Sequence, residues 1–143
     1  MYRNILVAYD GSEGAEAALG QAAELARGSG AALTLVQSTE HSEDSIVGRA
    51  RRQHEEHADG RARQSLDHAI ASLDPELGAS PWVVGGPPAR SIIAVADEIR
   101  ADLIVTGSRG LGRLARAMLG STSSELAGNA GCDVLVVHPG TNS

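Results

Sequence analysis

Residues 101–110 read Ala101-Asp102-Leu103-Ile104-Val105-Thr106-Gly107-Ser108-Arg109-Gly110. Leu103 to Thr106 runs without a charge and stops at glycine, which predicts a buried strand opening into a loop. Similar short runs stand at residues 5–10 (ILVAYD), 32–36 (ALTLV), 82–84 (WVV) and 134–137 (VLVV). They are near-continuous rather than alternating. Strands of that kind need cover on both faces, as in a parallel sheet sandwiched between helices.

The segments between them carry helical spacing. Ala15, Ala18, Leu19, Ala22 and Ala26 share one face behind Ser12, a capping residue, and Glu13 and Glu16 suit the positive helix start. Gly28 and Gly30 are read as the end of that helix. Residues 40 to about 60 are polar and read as a loop, and Ala58, Ala62, Leu66, Ala69, Ile70 and Leu73 then mark a long helix ending near Asp74-Pro75. Gly85-Gly86-Pro87-Pro88 opens a third helix with the stripe Ala89, Ile92, Ile93, Ala96 and Ile99. Residues 121–130 read as a fourth. No linker or internal repeat interrupts the pattern, so residues 1–143 are expected to form a single α/β domain. In such open sheets a ligand sits beyond the strand C-termini, where strand order reverses. Asp10, the end of the second strand and the loop from Gly107 are the segments to inspect.

Composition narrows the chemistry. The formal net charge is −6, against the basic face that a general nucleic-acid binder needs. Only Tyr2, Tyr9 and Trp82 carry aromatic rings, too few for a stacking platform. All 12 basic residues are Arg, so lysine-dependent chemistry, the P-loop and the Schiff base included, is excluded. Cys132 is the single cysteine, which rules out an internal disulfide, and it is expected to be a small buried residue. No apolar run reaches membrane-spanning length and the N-terminus lacks a signal pattern; no membrane association and a cytoplasmic location are expected.

The loop carries the chemistry. Gly107-Ser-Arg-Gly110 is followed, after nine residues, by Gly120-Ser121-Thr122-Ser123. Glycines allow the main chain to approach a ligand closely, and successive N–H groups in such a turn form an anion nest. The helix that follows offers unpaired N–H donors and a positive dipole end. Together these parts make a phosphate cradle. The pattern is not the dinucleotide fingerprint G-x-G-x-x-G. A tightly packed strand-to-helix connection would also favour glycine here.

The arrangement Gly-x-x-Gly, nine residues, Gly-Ser resembles the nucleotide signature of ATP-binding universal stress proteins. Residues 5–12 (ILVAYDGS) are similar to that family's first strand and turn, Gly86-Pro-Pro88-Ala89 to its entry into the third helix, and Cys132-Asp-Val-Leu-Val-Val137 to its last strand. Asp133 stands where the family usually has Pro. The resemblance implies an open five-stranded parallel sheet of order 3-2-1-4-5, of the adenine nucleotide alpha hydrolase-like kind. It implies ATP as the ligand, often with Mg²⁺ or Mn²⁺ on the phosphates, and homodimers joined through the last strand, residues 134–138. Asp10, with Gly11, would meet the ribose or adenine. Gly107, Arg109, Gly110, Gly120, Ser121, Thr122 and Ser123 would hold the phosphates. Ser38 falls where family members often present an apolar residue to adenine.

The function expected is a regulatory nucleotide-binding module in stress response. A slow ATP hydrolase or a phosphate or adenylyl transferase is the alternative, although no catalytic base is evident. Arg113 and Arg116 lie in the same loop and could face phosphate or water. His54 and His57 share a helix face by their spacing, without a third ligand nearby.

Overall fold

The structure is a computed structural model that describes residues 1–39, 49–108 and 120–140, with the backbone alone for residues 49–57. Five parallel strands lie in the order β3-β2-β1-β4-β5: β1 (Asn4–Ala8), β2 (Ala32–Thr39), β3 (Ser80–Gly85), β4 (Leu103–Gly107) and β5 (Asp133–Val137). The intervening helices are α1 (Glu13–Ser29), α2 (Arg49–Ala71), α3 (Pro88–Ile99) and α4 (Ser121–Asn129). The order is the expected one.

Strand pleating sorts the core into two layers. Ile5, Val7, Leu33, Leu35, Leu103 and Val105 meet α1 and α2 on one face. Leu6, Val36 and Ile104 meet α3 and α4 on the other. Leu66 is fully buried and anchors α2; Leu126 does the same for α4. Burying one such leucine is worth about 2 kcal/mol by transfer alone.

Several boundaries differ from those the pattern suggests. β2 extends to Thr39 because β3 pairs with it as far as Thr39 opposite Gly85. Ser38 therefore sits within a strand, opposite Val84. α2 begins at Arg49, inside the stretch expected to be loop. Arg, Ala, Gln and Glu dominate residues 49–56 and favour helix intrinsically, yet they leave no apolar stripe to reveal it. α1 runs through Gly28 to Ser29, and Gly30 in the left-handed region closes it. α3 ends on Arg100, which takes φ 58° without being glycine and donates its N–H to Ala96 and Asp97 carbonyls. Cys132 is half-buried just before β5. Burial and neighbouring carboxylates push its thiol up, away from the reactive thiolate.

The N-terminal ends of two inner strands are pinned by Asp102. Its carboxylate accepts the N–H groups of Arg3 at 2.8 Å and Asn4 at 3.0 Å, tying the starts of β1 and β4 together.

Candidate functional site

Strand order reverses at β1. From β1 the connections through α1 and α2 lead outward to β2 and β3; α3 then carries the chain back to β4 on the other side of β1. The C-terminal ends of β1 and β4 flank that reversal, which is where open sheets of this kind take a ligand.

The β1 side is a tight, capped turn. Asp10 is half-buried, and its Oδ1 accepts the Ser12 N–H at 2.9 Å. Gly11 takes φ 81°, a conformation that side chains disfavour. Ser12 Oγ then accepts the Ala15 N–H at 3.1 Å and starts α1. Asp10 thus acts as a turn former with one carboxylate oxygen; the second oxygen is the one it could offer a ligand. Beneath it, Tyr9 is buried and its phenol donates to the Glu16 carboxylate. Burial first, then that hydrogen bond and the Glu16 charge, push the phenol far above its usual range.

The β4 side is set by close packing and by one carbonyl. A Cβ on Gly107 would lie 2.6 Å from the Gly14 carbonyl carbon, so only glycine lets α1 seat on the end of β4. Ser108 continues the ladder by donating its N–H to the Val137 carbonyl at 2.8 Å. The Ser108 carbonyl in turn accepts the Gly120 N–H at 2.6 Å and the Ser123 hydroxyl at 3.1 Å. That carbonyl fastens the start of α4 to the end of β4, on either side of residues 109–119.

Each residue expected to touch a phosphate can now be placed. Gly120 is buried and spends its N–H on Ser108, so its amide is not a ligand donor. Ser123 is buried and its hydroxyl lies within hydrogen-bond distance of the Ser108 and Gly120 carbonyls. Its hydroxyl is committed internally. What α4 offers is its first-turn N–H groups at Ser121, Thr122 and Ser123, which lack acceptors within the helix, together with the positive dipole end. Ser121 is exposed and Thr122 half-buried. Arg109, Gly110, Arg113 and Arg116 lie outside the described residues, as do the side chains of His54 and His57. Among the described residues no group of three or more His, Cys, Asp or Glu is placed to hold a metal ion.

Ser38 shares a face with Val36 and Val84, on the α3/α4 side. The β1–β2 register pairs Ala8 with Val36; carried two residues on, it sets Ser38 beside Asp10. Sequence reasoning missed two residues that shape this region: Gly14, whose partner Gly107 lies far along the chain, and Ser108, which is 1% exposed and whose hydroxyl has no hydrogen-bond partner among the described residues. Strand alternation through Ile104 and Thr106 was the available signal for Ser108.

Comparison with known proteins agrees with this architecture. Residues 1–138 match the universal stress protein family. A relative from Thermus aquaticus, described as a universal stress protein in the QAH/OAS sulfhydrylase 3′ region, is 33% identical across 96% of this chain and 100% of its own length. Among solved structures, hypothetical protein MJ0577 superposes with a TM-score of 0.87 at 26% identity, covering 100% of this chain and 99% of its own. A universal stress protein in complex with cAMP superposes with a TM-score of 0.70 at 27% identity, covering 96% of this chain and 98% of its own. With the sheet order and a match over nearly the whole length in agreement, the chain belongs to the universal stress protein family.

Proposed function

We propose that the chain binds ATP at the C-terminal ends of β1 and β4 and acts as a regulatory nucleotide-binding module in stress response. The observation that carries this reading is the anchoring of α4: the Ser108 carbonyl holds Gly120 and Ser123, so the free N–H groups of the first turn open at the point where strand order reverses. The similar protein in complex with cAMP supports an adenine ligand. Asp10 meets the ribose or adenine, Ser38 lies on the adenine side, and Ser121 and Thr122 lie on the phosphate side. A divalent cation, Mg²⁺ or Mn²⁺, would be held mainly through phosphate oxygens and water.

Binding favours one state of the site through contacts made in that state alone, and that state is what a partner reads. The partner proposed is a second copy, paired through residues 134–138. β5 is one of the two edge strands, and Leu135 on it is 36% exposed, which leaves backbone groups and apolar surface for strand pairing.

Thermal unfolding with and without ATP tests the proposal. At one hundred times the dissociation constant, ATP adds about 2.7 kcal/mol to folded-state stability. A melting temperature unmoved by millimolar ATP with Mg²⁺ would remove the reading.

A further inference from the structure

The sheet is not covered evenly. β5 lies at an edge, and its register with β4 sets Asp133 beside Leu103 and Leu135 beside Val105. Leu103 and Val105 belong to the core layer under α1 and α2, so Asp133 and Leu135 share that face. Helix cover is incomplete there, and Leu135 remains 36% exposed. The result is an open hollow of about 430 Å³ lined by Tyr2, Leu25, Leu103, Asp133, Val134 and Leu135. It lies at the N-terminal ends of β4 and β5, a strand length of about 13 Å from the ends proposed to hold the nucleotide.

The hollow has the size of a small-ligand site. Leu25, Leu103 and Leu135 give it apolar walls. Tyr2 donates its phenol to Asp133 Oδ2 at 2.8 Å, while Oδ1 accepts nothing among the described residues. Asp102, the neighbouring carboxylate, is already committed to the Arg3 and Asn4 N–H groups. No Arg or His is among the lining residues, and Asp133 forms no ion pair among the described residues. The hydrogen bond to Asp133, desolvation, and the charges of Asp133 and Asp102 push the Tyr2 phenol up, as a negative local field does. An anion would find no free side-chain donor here, because the phenol proton is spent on Asp133. Asp133 also stands where proline was expected, and proline would supply neither charge nor acceptor.

We infer that this hollow is a second binding site, one that takes a small organic cation with its ammonium group on Asp133 and its apolar body over the leucines. The ammonium donates to the open carboxylate oxygen, and the Tyr2 ring adds a face that attracts cations. Strand pairing along β5 would use backbone groups in the plane of the sheet, whereas this ligand uses side chains on one face.

Amide-resolved NMR titration with 2-phenylethylammonium chloride tests it, with 2-phenylethanol as the matched body without charge. The cation is expected to shift the amides of Tyr2, Leu25, Leu103 and residues 133–135, with a dissociation constant of about 1 mM. The alcohol is expected to bind about tenfold more weakly. Asp133→Asn keeps an acceptor for Tyr2 and removes the charge, and should weaken cation binding about tenfold. Leu25→Trp fills the hollow from α1 and should abolish the shifts while the rest of the spectrum stays dispersed. Equal affinity for alcohol and cation, or an Asp133→Asn variant that binds like the wild type, overturns the cation assignment. Absence of shifts at about 10 mM cation overturns the site itself. Cation affinity that drops as protein concentration rises would make a second copy of the chain the occupant, and that too overturns it.

Discussion

The Gly14 carbonyl carbon stands 2.6 Å from where a methyl group on Gly107 would be, with its oxygen at 2.7 Å and its Cα at 2.9 Å. Two backbones, the first turn of α1 and the last residue of β4, meet with no side chain between them. The first glycine of the loop signature is therefore required by packing, whatever it does for a ligand.

Gly107→Ala should displace α1 from β4, because neither backbone can give by the needed distance. A cost of about 2 kcal/mol, typical of overpacking, is expected in urea unfolding. An unchanged midpoint would mean that α1 seats elsewhere.

Gly120→Asp tests the phosphate end. Gly120 has φ −67° and ψ 163°, which any residue adopts, and it is the N-cap of α4 without a side-chain cap of its own. An aspartate there would accept the N–H groups of the first turn and occupy the position meant for an anion. ATP affinity should fall about tenfold or more while the helix start is kept. Undiminished binding in calorimetry would move the phosphate away from α4.

Asp102 gives a pH dependence. Desolvation raises its carboxyl, but the N–H groups of Arg3, Asn4 and Asp102 itself, together with the N-terminal charge, outweigh that, and its folded value lies below the usual range. A lowered folded pKa contributes stability above the unfolded value near 3.9, and that contribution is lost as pH falls through the folded one. Asp102→Asn should therefore lower the melting temperature at pH 7, and the gap to wild type should close on acidification below about pH 4. A gap constant with pH would assign the loss to packing alone.

Tyr9 acts at the other end of the pH scale. Its raised folded pKa means the neutral phenol is favoured in the fold, so its contribution is complete below about pH 10 and shrinks as pH rises toward the folded value. Tyr9→Phe should cost about 1 kcal/mol at neutral pH, the net worth of the bond to Glu16. In spectrophotometric titration, Tyr9 should ionise only with alkaline unfolding. A phenol titrating normally in the folded protein would contradict its burial.

The sequence by itself determined the layers of the fold. Uninterrupted apolar runs at residues 5–7, 33–36, 103–106 and 134–137 have no polar face to give to water, and the helical stripes on α1 and α3 have nowhere to go but onto them. It also pointed to the segment after β4 as the candidate site, since glycines and a hydroxyl run ahead of a helix carry their conformational meaning locally. Ser12 likewise announced its own cap.

Tertiary structure decided the rest. The start of α2 was invisible because polar helix formers leave no stripe. The duties of the signature residues depend on partners distant in the chain: Gly107 on Gly14, Gly120 and Ser123 on the Ser108 carbonyl. Whether a hydroxyl is spent or left over is a property of what folds around it. A serine in a sequence looks the same in either case, and only the packed chain separates Ser123, whose hydroxyl is taken up by two carbonyls, from Ser108, buried without a partner for its hydroxyl among the described residues.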